Sequence, residues 1–133
     1  MTPTIVRIRD HWPWVYPVLQ ELIDSTGAGI MPEDVFHWCE SGKAVFVLAA
    51  EGFVVAAQDE DPVTGAKELL IWFAYANRIG GDCVAQYMPY FMDLAKELGC
   101  RYITTKTVFD PVGHHLEEHG WERGQTEYKL AVR

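Results

Sequence analysis

The sequence predicts an α/β domain in which a mixed sheet of six or seven strands is flanked by helices. Three stretches carry that expectation. Lys43–Ala50 and Phe53–Gln58 are strand-like runs on either side of Glu51-Gly52, the spacing of a β-hairpin. Leu69–Ala76 is continuously apolar, the pattern of a central strand covered on both faces. Asp82–Leu98 repeats apolar residues at intervals of three and four, so a helix crosses from that strand to the β-branched run Arg101–Val108. A helical crossover makes the two strands parallel, whereas a hairpin makes its pair antiparallel, and the sheet is therefore mixed.

The full order reads β-α-α-β-β-β-α-β-α-β. Thr4–Ile8 alternates, with Ile5, Val6 and Ile8 as its apolar members, and forms a short first strand. His11–Ser25 places Trp14, Val18 and Leu22 on one broad helical face that can take in Tyr16 and Ile23, stopped by Thr26-Gly27; Pro17 inside it predicts a break or a delayed start. Met31-Pro32-Glu33-Asp34 opens a second helix that buries Val35, Phe36 and Cys39 and ends at Gly42. Asp59–Ala66 is a polar turn. In Asp82–Leu98 the buried stripe is Val84, Tyr87 or Met88, Phe91, Leu94, Ala95 and Leu98, with a kink expected at Pro89 and an end at Gly99. Asp110–His119 is a short helix closed by Gly120, and Glu127–Val132 reads as the last strand.

Composition bounds the function. The 133 residues suit one domain, with 49% hydrophobic and 23% charged side chains. Eleven basic against 19 acidic residues give a net charge of -8, which argues against wrapping duplex nucleic acid and favours a cationic amine or basic partner. No apolar run is long enough to span a membrane, and MTPTIVRIRD lacks the apolar core of a signal peptide. Cys39, Cys83 and Cys100 are odd in number and widely spaced, as expected of reduced thiols in the cytoplasm.

Several of these stretches together resemble one family. Ile5-Val6-Arg7-Ile8-Arg9-Asp10 is similar to the first strand of the GCN5-related N-acetyltransferases. Leu69–Ala76 is similar to the strand before their pyrophosphate loop, and Arg78-Ile79-Gly80-Gly81-Asp82 stands where that loop belongs. His119-Gly120-Trp121 matches the end of a late small helix. The resemblance covers nearly all of the chain. It implies an acyl-CoA N-acyltransferase-like fold in which two parallel strands splay apart and acetyl-CoA enters the gap as acyl donor. It implies transfer of an acetyl group to a small amine or a protein amine. The loop departs from the family's RGxGxG-like spacing, and Leu116 stands where a tyrosine is frequent. Such domains also occur without established catalysis, as adaptors or bacteriophage virion components, and that alternative stays open.

The donor-site candidates are Phe73, Ala74 and Tyr75, whose backbone amides would face the splay, together with Arg78, Gly80, Gly81, Asp82 and Cys83. Bare backbone at Gly80 and Gly81 suits a diphosphate, and Arg78 adds a positive charge. Asp82 would compete for the same amides. Cys83, at a helix start, is either a low-pKa thiol or a buried inert one. Glu68 is the carboxylate candidate for taking the amine's proton, with His114 or its neighbour His115 as the imidazole alternative. Tyr128 or Tyr102 would replace the missing tyrosine. The clustered histidines do not form a metal signature, so no metal is expected. Trp12, Trp14, Tyr16 and Trp38 make the early helices aromatic, suited to an acceptor pocket, a homodimer contact or the core.

Overall fold

The computed structural model describes residues 2–77, 81–107, 110–124 and 127–132. Five strands form one sheet in sequential order: β1 (Thr4–Val6), β2 (Ala44–Ala49), β3 (Gly52–Glu60), β4 (Lys67–Ala76) and β5 (Tyr102–Thr105). β1 to β4 pair antiparallel, and β4 pairs with β5 in parallel. The mixed sheet is as expected, but among the described residues it has five strands and not six or seven. Glu127–Val132 takes no strand pairing, and Tyr128 and Leu130 each stand 90% exposed. An alternating pattern defines two faces of a segment, but a strand also needs a neighbour, which the local pattern cannot supply.

Helices cover both faces. α1 (Trp12–Thr26) and α2 (Pro32–Glu40) lie over one face, where Val15, Leu19, Ile23 and Val35 pack on Phe46, Phe53, Val55 and Ala57. α3 (Cys83–Gln86) and α4 (Met88–Glu97) lie over the other, where Cys83, Phe91, Leu94 and Ala95 meet Val47, Val54, Leu69 and Ile71. α5 (Asp110–Glu118) follows β5 and buries no residue.

Three local expectations are corrected. α1 runs unbroken through Pro17. The missing N–H falls in the second turn, and the Pro13 carbonyl it leaves open belongs to an exposed residue that water can reach. The most deeply buried row of α1 is Val15, Leu19 and Ile23; of the expected face only Ile23 belongs to it, and Trp14, Val18 and Leu22 lie one residue round. The expected single helix over Asp82–Leu98 is two, parted at Tyr87 (φ -115°, ψ 29°). Pro89 lacks the N–H that would have bonded the Ala85 carbonyl, so the ladder breaks there instead of kinking.

The hairpin turn is Ala50-Glu51, because Ala49 pairs with Gly52. Gly52 already belongs to β3, opposite Ala76, and a Cβ there would run into the Tyr75 carbonyl. Only glycine permits that approach.

Candidate functional site

The central feature is one extra residue in β4. Val55 of β3 pairs with Phe73, but the next residue, Ala56, pairs with Ile71, so Trp72 is left over as a β-bulge. The bulge shifts the alternation of the strand. Leu69 and Ile71 belong to the core under α4, whereas Trp72 and Phe73 both pack on the α1/α2 side. A bulge bends its strand and disturbs the ladder. Here the parallel register with β5 runs from Glu68↔Tyr102 to Ile71↔Thr105 and stops. Thr105 Oγ1 donates to the Ile71 carbonyl at 3.1 Å across this last rung. β4 continues for five more residues, so Phe73, Ala74 and Tyr75 leave the end of β5 behind. Phe73 is buried, Ala74 exposed, and the Tyr75 ring lies 5.5 Å from that of Phe53.

Beyond β4, the Asn77 N–H donates to the Glu51 carbonyl at 2.6 Å. The Glu51 carboxylate accepts from Gln86 Nε2 at 3.2 Å and Tyr87 Oη at 2.6 Å. The hairpin tip thus holds both the end of β4 and the end of α3. Neither role was read from the sequence; the only signal was a glutamate in the predicted turn. Arg78, Ile79 and Gly80 lie outside the described residues, and Gly81 is half-buried.

Asp82 caps α3, its Oδ1 accepting the Ala85 N–H at 3.0 Å, while Oδ2 pairs with His115 Nε2 at 3.0 Å. Burial works against its ionisation, but the Ala85 amide and His115 outweigh that and hold the carboxyl below its usual range. Cys83 is buried, its thiol donating to the Tyr75 carbonyl at 3.4 Å. The histidine brought against α3 is His115, not His114, which points out from the exposed surface of α5. His119 Nδ1 lies 2.8 Å from the His115 carbonyl, and the two rings are 4.3 Å apart.

The remaining candidates are dispersed. Glu68 sits six residues before Ala74, which at strand rise separates them by roughly 15–20 Å. Tyr128 lies in the unpaired segment, and Tyr102 is 53% exposed under Arg101. Leu116 is half-buried and its carbonyl accepts the Trp121 N–H at 3.1 Å. Burial raises the Cys39 thiol to about 12, with Glu40 adding to it, and burial also raises Cys100. Among the described residues no three His, Cys, Asp or Glu converge on a possible metal site, and no helix is long and apolar enough to cross a membrane.

No protein-family model matches the chain, and no curated protein matches it. Solved structures do match over its whole length. A Pyrococcus furiosus protein assigned as an acetyl transferase superposes with a TM-score of 0.72 at 19% identity, covering 98% of this chain and 99% of the other. The ribosomal-protein-alanine N-acetyltransferase of Brucella melitensis biovar Abortus 2308 gives 0.68 at 17% identity, covering 99% and 100%. An aminoglycoside N-acetyltransferase in complex with CoA gives 0.66 at 14% identity, covering 98% of each chain. The chain therefore has the fold of the GCN5-related N-acetyltransferases. At these identities the likeness is one of fold.

Proposed function

We propose that the protein is an acyl-CoA-dependent N-acyltransferase that moves an acetyl group from acetyl-CoA to a primary amine of a small molecule or protein. The observation that carries this reading is the departure of β4 from β5 at the Trp72 bulge. It leaves the Phe73–Tyr75 backbone as an edge against which an extended donor can lie. When bound, acetyl-CoA supplies the acyl group as a thioester. The amides of Phe73–Tyr75 would orient it and polarise its carbonyl, so that the amine nitrogen could form the new C–N bond as the C–S bond breaks and CoA leaves as its thiolate. The ammonium's proton must leave first. Glu68 is too distant from Phe73–Tyr75 to receive it directly. Of the two imidazoles proposed for it on α5, His114 and His115, His115 is the one in contact with the start of α3. Tyr128, exposed in the unpaired segment, is the phenol proposed to protonate the leaving thiolate.

Arg78, Gly80 and Gly81 are proposed to receive the diphosphate, with Asp82 and Cys83 fixing the far end of that connection. A second reading rests on α3. That helix has four residues, and the Asp82 carboxylate already takes the Ala85 amide, so little of its N-terminus is left for an anion. A protein retaining the fold for interaction alone would look the same. Calorimetric titration with acetyl-CoA separates the two. A Kd in the tens of micromolar, lost in a folded Gly81→Asp protein, supports the donor site. An affinity weaker than about 1 mM, only about -4 kcal/mol, rejects it.

A further inference from the structure

We propose that the α2 side of the sheet carries a seat for an alkylammonium group, walled by Trp38 and Trp72 and charged by Asp59 and Glu68. Its use for the acyl acceptor rests on the acyl-transfer reading above; the seat itself does not. A cavity of about 220 Å³ opens there, lined by Trp38, Ala57, Gln58, Asp59, Leu70 and Trp72. The two indole rings lie 5.3 Å apart at 55° and form an aromatic wall. Indole faces attract cations within about 6 Å. Trp38 already does so within the chain, with Lys43 Nζ 5.6 Å from its ring centre.

The charge at the other end is the unusual part. Asp59 and Glu68 are direct cross-strand partners, so their side chains leave the same face of the sheet side by side. Like charges placed so are destabilising. Among the described residues neither carboxylate has a salt-bridge partner, and the Asp59 carboxylate accepts only the adjacent Glu60 N–H, at 2.9 Å. A third group stands close by. Thr104 is the β5 partner of Leu70, and its hydroxyl is buried with no hydrogen-bond partner among the described residues. The Thr104 hydroxyl lies behind Leu70 and outside the lining; two indoles and the Asp59 carboxylate in the wall, with the Glu68 carboxylate beside Asp59, suit an organic cation with N–H donors. They repel an anion and give a neutral ligand little.

The position of the seat bears on function because Trp72 is at once a cavity wall and the bulge residue. The Trp72 end of the cavity therefore adjoins Phe73–Tyr75, roughly 3–10 Å along the strand, and the Asp59–Glu68 end lies roughly 15–20 Å from Ala74. An acceptor with two amines could rest one ammonium among Trp38, Trp72, Asp59 and Glu68 and present the other at the gap.

Titration of the full chain with 1,4-diaminobutane, followed by tryptophan fluorescence, tests this, with 1-butanol as the neutral control. A saturable change with the diamine alone is expected, weakened at least about tenfold, 1.4 kcal/mol, in an Asp59→Asn, Glu68→Gln double variant. That variant should melt no lower than wild type, since the amides remove a like-charge opposition. Trp38→Leu, at a partly exposed position, is the second variant and should weaken binding without unfolding the protein. Diamine affinity unchanged in both variants, or no saturable response below about 1 mM, overturns the seat. Calorimetry with acetyl-CoA on the same samples keeps the two ideas apart. Loss of donor binding with the diamine response intact removes acyl transfer and leaves the seat. Intact donor binding with a variant-insensitive diamine response does the reverse.

Discussion

Asp82 shows how one side chain can serve the fold at the expense of a ligand. Its carboxylate caps α3 and holds His115, and both bonds favour the ionised form. Because its folded pKa is depressed, its contribution is fully present above the unfolded value near 3.9 and is lost as pH falls through the lower folded one. Asp82→Ala should cost about 1 kcal/mol in urea unfolding at pH 7. Asp82→Asn, which keeps a capping oxygen, should cost less and should flatten the loss of stability below about pH 4. An unchanged acid limb in the asparagine variant would remove this account. The cysteines make the opposite case. With the Cys39 thiol raised to about 12, Cys100 also raised, and Cys83 buried beneath Tyr75, native thiols should react slowly with Ellman's reagent at pH 8. All three should titrate promptly once the chain is unfolded in guanidinium. A fast-reacting native thiol would contradict the burial of Cys83 and the raised thiols of Cys39 and Cys100.

Among the elements, β3 and β4 hold the site together, and their pairing was only partly legible in the sequence. The apolar run Leu69–Ala76 announced a central strand, and the following helical period announced a parallel partner; both follow from local pattern. The bulge at Trp72 did not, because the run is apolar throughout and shows no alternation for an extra residue to interrupt. For the same reason the switch of Phe73 to the α1/α2 side was invisible, although it is what ends the pairing with β5. Gly52 marks the other anchor of β4. Gly52→Ala should destabilise by about 1–3 kcal/mol, since the methyl meets backbone at Tyr75 that cannot give way as a side-chain tip could. The same substitution at Gly65, whose Cβ would meet nothing, carries only the strain of its φ of 72°. Urea midpoints for the two proteins would show the ordering, and a neutral Gly52→Ala would refute the close approach.

Across the molecule, burial is uneven, and that predicts where the protein opens first. The two cores lie on β2, β3 and β4, covered by α1 and α2 on one side and α4 on the other. The described residues after β5 contribute little to either: α5 buries no residue, and Glu127–Val132 stays exposed. The sequence suggested otherwise for that segment, because Tyr128, Leu130 and Val132 alternate like a strand, while strand formation depends on a neighbouring edge that no local pattern encodes. Amide exchange should therefore be slowest in β2–β4, close to the global unfolding free energy, and fastest in α5 and over Glu127–Val132. Substitutions should follow the same division. Phe91→Ala, removing a side chain that is 1% exposed, should cost about 3–5 kcal/mol. Leu130→Ala, at a position 90% exposed, should stay within about 0.5 kcal/mol. Measured by urea unfolding, a loss above about 1 kcal/mol at Leu130, together with slow exchange over Glu127–Val132, would show that the segment pairs with a strand edge in solution.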